Sequence, residues 1–541
     1  MNRSLFRPTA LATLTALCFL APSSHAANVE ESALRAHLAL LSSDLFEGRG
    51  TGQRGGDLTM AYLETQAAVL GLQPANGKSF RQPLQLAGIK PLVAESSLQI
   101  QAQGQALKFA YGTDWVWNSR APQTTLSFAQ QLVFAGYGTL APEERWDDFK
   151  GTDVRGKILI VLANDPQPTS AEPERFAGKA MTYYARRSYK FEEALKRGAQ
   201  GVLVIYNEAT VPSSWKAVSE HADNEQFMLP NSDTGLPMVG WLTENAARKL
   251  FAASGQHYDQ LLLKAEQRDF TPVALTAQLQ GDLMNKVRTI SQDNIAALVP
   301  GTDPKLRDEV VIYSAHWDHL GKLEAKPGEA AKDLIFNGAV DNASGSAALL
   351  AMAKAAVQQP AKRSQLFLWL AAEEEGLLGS EYYASHPLFP LQKTAANLNL
   401  DTLNFVGRTK DIGVSGSERS DLGTLASQVA TSMQLTLAPR RVDTQGYYFR
   451  SDHFSFAKAG IPAFSVGSGS QYVQNQETNS AKRAAYGQRY HEASDEYDAS
   501  WDLSGMAQQA QFALNLGRAV ADGEQMPKWK AGDVFGKVRG Q

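Results

Sequence analysis

Three short apolar runs between Glu309 and Asn404 each end on residues that can hold a cation. Val310 to Ala315 runs into His316, Leu366 to Ala371 into Glu373 and Glu374, and Leu398 to Leu400 into Asp401. Asp341 stands between the first two in NGAVDNASGS, and His491 follows much later in YHEASD. The two imidazoles of His316 and His491 and the three carboxylates of Asp341, Glu374 and Asp401, with no thiolate, suit one or two borderline cations such as zinc, with cobalt or manganese as alternatives. Taken singly, a strand-final histidine is ordinarily a packing residue and a Glu-Glu pair ordinarily a solvated helix start. The order is what carries weight, because His-x-Asp, Asp-Asn-x-Ser-Gly, Glu-Glu-x-Gly and a strand-final Asp succeed one another in a single stretch of chain.

For these side chains to act together, the elements that carry them must converge. Apolar segments of four to eight residues separated by helical patterns read as buried parallel strands. In an open α/β sheet the carboxyl ends of such strands face the crevice where ligands bind. The expected architecture is therefore α/β, a mixed but mostly parallel central sheet flanked by helices, with a helix from Ser344 to Val357 covering one face.

A chain of 541 residues is long for one domain and predicts two to four. Residues 1–26 read as a secretory signal peptide: Arg3 and Arg7 precede the apolar Leu11 to Ala21, followed by Ser24-His25-Ala26. The apolar run is shorter than the ~20 residues of a spanning helix, which predicts a secreted or periplasmic protein without stable membrane insertion once the signal is removed. The only cysteine, Cys18, lies within that segment, so the mature chain has no disulfide framework. Losing Arg3 and Arg7 takes the formal charge from −4 to −6, a mildly acidic balance that speaks against a nucleic-acid partner.

Residues 27–90 read as two helices around the Gly-rich SSDLFEGRGTGQRGG, whose Glu47, Arg49 and glycines could line a site but in isolation read first as solvated turn chemistry. From 91 to 284 the style changes to short alternating segments with Gly, Pro and Asp turns, the mark of an inserted smaller, β-rich α/β domain. Strands are expected at Gly156 to Ala163 and Gly201 to Tyr206, with a helix from Tyr189 to Arg197. His221 and His257 in this region read as surface or packing residues. The first style returns over 285–520, with a strand beginning at Asp293, and 521–541 reads as an extended, solvated C-terminal tail.

The motifs AHWDH (315–319), GAVDNASG (338–345), AAEEEGLLGS (371–380), NLDT (399–402) and YHEASD (490–495) together resemble the di-zinc exopeptidase family of secreted bacterial aminopeptidases and glutamate carboxypeptidases. The resemblance covers roughly residues 30–90 and 285–520. It implies a zinc-exopeptidase fold and two Zn2+ per chain, one held by His316 and Asp401, the other by Glu374 and His491, with Asp341 bridging. The insert is similar to the protease-associated domain of many members, through GYGTLAPEERWDDFKGTDVRGKILIV and FEEALKRGAQGVLVIYNE. Two positions depart from the pattern: Glu375 stands where an apolar residue is common, and Val340 where a second acidic residue is common.

The chemistry that follows is peptide hydrolysis by a metal-activated water. Glu373 is the expected general base, Asp318 the carboxylate expected to orient His316, and Tyr490 a candidate donor to the oxyanion, with a core tyrosine as its equal alternative. Asp495 is expected to orient His491 or to cap a helix, and the Asp341–Asn342 bond is expected to be cis. The expected activity is that of a secreted zinc aminopeptidase acting on peptides. The alternatives are a carboxypeptidase or dipeptidase of the same family, for which Arg440, Arg441 and Arg450 could receive a terminal carboxylate, a single-zinc glutaminyl cyclase, and a non-enzymatic receptor-like scaffold.

Overall fold

The computed structural model describes residues 28–540 apart from 212, 233–234 and 326–331. The signal-peptide expectation for 1–26, with Cys18, lies outside these residues. Among the described residues no helix is long and apolar enough to cross a membrane.

The strands in chain order that matter for the site are β1 (Arg81–Pro91), β2 (Gln99–Ala102), β3 (Thr125–Phe134), β4 (Ile158–Leu162), β5 (Gly201–Tyr206), β6 (Met238–Thr243) and β7 (Val273–Val299). They are followed by β8 (Val310–His316), β9 (Ser364–Leu370), β10 (Thr394–Leu400), β11 (Asp411–Ser415) and β12 (Ala463–Ser468). In the larger unit the order across the sheet is β1, β7, β9, β8, β10, β12, β11. The four central strands β9, β8, β10 and β12 run parallel, and both flanks are antiparallel. Every residue of β8, β9 and β10 is buried, because helices cover both faces and leave no solvated side for an alternating pattern.

Helix α1 (Glu31–Leu41) and helix α2 (Arg54–Val69) flank the Gly-rich loop, and α3 (Arg187–Lys196) lies in the insert. Helix α4 (Ser344–Gln358) is nearly all Ala, Leu, Ser and Gly and is buried along almost its whole length. Small residues on that helix let it lie close against the sheet, within a core that also takes in Trp317, Trp369, Leu398 and Leu400. Helix α5 (Ser504–Asp522) packs on the same side through Met506, Phe512, Leu516 and Val520.

The expected mostly parallel α/β sheet is present, with most elements within two residues of their expected bounds. The strand expected to begin at Asp293 is instead the last part of β7, which is 27 residues long. Its residues 285–295 pair with β1, while 273–284 pair with β2 and β3 in the insert, where β3, β4, β5 and β6 form a second sheet. One continuous ladder thus joins the two units, and the change of partner falls between Met284 and Asn285. The polar run from Asn285 to Asp293 hid this strand, since its side chains are mostly accessible where β7 crosses between the two cores.

The expectation of a solvated tail over 521–541 is overturned. Trp529 and Phe535 are buried with Tyr448, Phe454 and Ile461, the Trp529 indole donates to Gly460 O at 2.8 Å, and Arg419 pairs with Asp533 at 3.0 Å. An irregular segment anchored by isolated aromatics has no period for a pattern search to find.

Candidate metal centre

Each residue in question sits just past the carboxyl end of a parallel strand or on a loop folded over those ends. His316 closes β8, Glu373 and Glu374 follow β9, and Asp401 follows β10. Asp341 enters from the turn before α4, and His491 from the loop before α5. The structure brings all six side chains together.

His316 Nε2 lies 3.3 Å from Asp341 Oδ1 and 3.5 Å from Asp401 Oδ1. His491 Nε2 lies 3.2 Å from Asp341 Oδ2 and 3.2 Å from Glu374 Oε2. Asp341 therefore presents one oxygen to each imidazole. Neither Nε2 is in a hydrogen bond, although both are buried. Donor atoms ~2.1 Å from a tetrahedral ion stand about 3.4 Å apart, so close, misaligned N and O atoms are what two shared cations would produce. The donor set, carboxylates and imidazoles without sulfur, likewise fits zinc. His316, Asp341 and Asp401 form one such group of mutually close ligand atoms, His319, Asp341 and Glu374 another, and His316, Glu373 and Glu374 a third.

Charge in the centre is matched to cations. Burial pushes the Asp341 carboxyl up, but the two facing imidazoles outweigh it and hold it far below the usual carboxylate range. Burial and Asp341 raise Glu374, and His319 and His491 bring it down to about 2. Burial opposes charge on His491, yet Asp341 and Glu374 lift it to about 10. Each imidazole is thus drawn toward carrying the positive charge that the carboxylates demand.

A framework of buried polar groups fixes these side chains. Asp318 orients His316 through its carbonyl, 3.1 Å from Nδ1, whereas its carboxylate is 3.9 Å away and accepts from Glu373 N (3.1 Å) and Glu374 N (3.3 Å). The same residue therefore positions both the imidazole and the Glu-Glu pair. Asp401 accepts from Ser451 Oγ at 2.6 Å, Ser451 from Asn399, and Asn399 in turn accepts from Ser314. Asp495 makes no hydrogen bond to His491 and acts instead at the amino end of the helical turn Ala339–Ala343. Its carboxylate accepts from Val340 N, Asp341 N and Tyr486 Oη, which places the Asp341 backbone. The Asp341–Asn342 peptide bond is cis.

Backbone outliers cluster here as well. Ala372 (φ 53°), Thr402 (φ 52°) and His491 (φ 61°) take left-handed conformations that cost L-residues of order 1 kcal/mol each. All three are at or next to a proposed ligand or base. Gly338 has φ 53°, and a Cβ there would lie 2.2 Å from Asp341 O and 2.5 Å from the His319 ring.

Three further residues stand close to the centre. His319 is buried and its Nδ1 is 2.6 Å from Glu374 Oε1. Asp452 is buried with neither oxygen hydrogen-bonded, and burial lifts it to about 7 beside Asp318 and Asp401. Arg49, expected in a solvated turn, is fully buried instead, and donates to the carbonyls of Leu41, Trp317, Asn337 and Gly338 at 2.6–2.9 Å. The glycines around it concealed this, since a guanidinium that satisfies four carbonyls looks no different in sequence from one in water. Arg49→Met is expected to cost about 3 kcal/mol by orphaning those carbonyls, read as a lower denaturant midpoint at constant m-value. Of the remaining histidines named above, His221 and His257 are exposed, as expected.

Tyr490 stacks on His491 with ring centroids 3.9 Å apart. It is partly exposed, and burial followed by Asp341 and Glu374 pushes its phenol up, keeping it a protonated donor. Glu375, the unusual acidic residue, accepts from Phe227 N of the insert at 3.2 Å, and Val340 serves through its backbone. A cavity of 1160 Å3 opens over the centre, floored by Glu373, Glu374, Tyr490 and His491 and roofed by residues of the insert.

Residues 294–515 match the model of Peptidase family M28, so the family resemblance carried by the motifs holds. Leucine aminopeptidase 1 of Trichophyton equinum is 29% identical over 189 residues, 32% of this chain and 47% of that protein. Aminopeptidase YwaD of Bacillus subtilis (strain 168) is 27% identical over 324 residues, 57% of this chain and 52% of its own. The chain spans about half the length of these curated relatives. Among solved structures, the aminopeptidase from Aneurinibacillus sp. strain AM-1 superposes with a TM-score of 0.51 at 19% identity, covering 92% of this chain and 96% of that one, which shows the shared fold.

Proposed function

With residues 294–515 matching a peptidase family, we propose that this protein is an exported zinc aminopeptidase that removes N-terminal residues from peptides. Its signal peptide would be residues 1–26, its catalytic unit 27–90 with 285–520, and its substrate-covering insert 91–284. His316 and Asp401 would hold one zinc, Glu374 and His491 the other, and Asp341 both. The observation that supports this most is the placement of Asp341, one oxygen 3.3 Å from His316 Nε2 and the other 3.2 Å from His491 Nε2.

When bound, a zinc pair supplies Lewis acidity and positive charge at the reacting carbonyl. The chain's own residues do the rest. Glu373, whose Oε2 is 3.9 Å from His316 Nε2 and whose backbone is tied to Asp318, takes a proton from the attacking water and returns it to the leaving amine. Tyr490 Oη donates to the oxyanion of the tetrahedral state. His319 holds Glu374 in place, and the insert keeps bulk water from the cavity.

A panel of aminoacyl nitroanilides and N-blocked dipeptides tests the direction of attack. The expected result is cleavage of free-amine substrates only. Cleavage of blocked peptides with the nitroanilides left intact would overturn the aminopeptidase reading.

A further inference from the structure

The roof of the cavity carries charge opposite to its floor. Arg186 and Arg187 of the insert and Arg450 of the catalytic unit line the same cavity as Glu373, Glu374 and His491. Other cations on its wall are already engaged: Lys458 pairs with Glu192 at 2.9 Å, and Lys190 donates to the carbonyls of Tyr137 and Asn164. Among the described residues, Arg186, Arg187 and Arg450 enter no ion pair.

The three are also close to one another. Burial, then Arg450 and Arg187, together lower Arg186 to about 10 against a weaker pull from Asp443. Arg187 is accessible to solvent yet ringed by protein, as befits a side chain on a concave wall, and it is lowered by that burial. Like charges held together without a counter-ion are unfavourable, and a bound anion relieves them.

Aromatic contacts set the orientation of two of these groups. The Arg187 guanidinium lies 5.4 Å from the Trp241 ring centroid and 5.7 Å from that of Phe191, and Arg450 lies 5.5 Å from that of Tyr447. Stacking occupies the face of a guanidinium and leaves its N–H edge for a carboxylate. Arg440 and Arg441, which also had the chemistry for this task, do not line the cavity, and Arg440 pairs with Glu418 at 3.4 Å.

We propose that Arg186, Arg187 and Arg450 form a receptor for a carboxylate of the peptide substrate, on the leaving-group side of the bond cleaved. The inference rests on the aminopeptidase reading, which puts the substrate's first residue at the metal centre and runs the remainder into the cavity. A short peptide is a zwitterion, and the cavity has the matching polarity, acidic at the centre and basic beneath the insert. The carboxylate is either the C-terminus of a short peptide or an acidic side chain near the cleaved bond.

The test compares kcat/KM for Leu-Gly-Gly with its C-terminal amide, and for Leu-Glu-Gly-amide with Leu-Gln-Gly-amide, in wild type and in R186Q/R187Q/R450Q. The ratio is taken within each protein, so that altered folding cancels. A wild-type preference of about tenfold for the carboxylate in one pair, carried by KM and falling to about one in the variant, is expected. Preference in the first pair identifies a terminal carboxylate, and in the second an acidic side chain. Ratios near one in wild type, or a ratio that survives in the variant, overturn the proposal. If no substrate is cleaved, the aminopeptidase reading fails separately. Calorimetric binding of the same pairs then decides, a carboxylate preference lost in the variant supporting the receptor and its absence overturning it.

Discussion

Glu373→Gln lowers kcat by about 10³-fold while the protein keeps its full metal content. The substitution keeps the size of the side chain and removes only its capacity to accept and return a proton. Glu373 stands farther from the imidazoles than the ligands do, its nearest such contact being 3.9 Å from His316 Nε2 while Glu374 reaches 3.2 Å from His491 Nε2. Its backbone stays clamped by Asp318, so the glutamine amide would occupy the same place. Steady-state kinetics with a leucyl nitroanilide, alongside metal analysis of the same preparation, reads both halves of the expectation. A kcat within a few-fold of wild type would remove Glu373 from the mechanism, and a loss of metal would make it a ligand instead.

Asp341→Ala has the larger effect, because one carboxylate serves both halves of the centre. Removing it takes the carboxylate whose two oxygens lie 3.3 Å from His316 Nε2 and 3.2 Å from His491 Nε2, and leaves the two imidazoles among Glu374, Asp401 and Glu373. Metal content is expected to fall toward zero and kcat/KM by about 10⁴-fold or more, as when a whole catalytic unit is lost. The backbone of this turn is held by Asp495 and Tyr486 independently of the side chain, so the circular dichroism spectrum should persist. A variant that retains two metal equivalents would show that Asp341 does not bridge.

The parts of this arrangement that were legible in sequence are those set by period and by strand ends. Apolar runs placed β8, β9 and β10, and their terminal residues His316, Glu373, Glu374 and Asp401 converge because parallel strands all end on one side of a sheet. The contact of Asp341 with His491 across a long separation came from the family resemblance, not from spacing. What stayed hidden has a physical cause in each case. Arg49 is buried by satisfying four carbonyls, a property of the fold around it and not of its neighbours in sequence. Asp318 works through its carbonyl on His316 and through its carboxylate on the Glu373 and Glu374 amides, two roles that residue identity cannot apportion. The Ser451 and Asn399 chain behind Asp401 joins residues from different elements, and the polar stretch of β7 crosses between cores where no face is fully buried.

The insert illustrates the same limit. Its strands followed from alternation, but that Arg186 and Arg187 meet Arg450 over the centre depends on how the two units share β7, which only the fold supplies.

The central claim is a paired metal centre divided between two histidines, and metal content measured by mass spectrometry on wild type, His316→Ala and His491→Ala tests it most directly. The account predicts two equivalents of zinc in wild type and about one in each variant. At most one equivalent in wild type, or two retained in both variants, would contradict it.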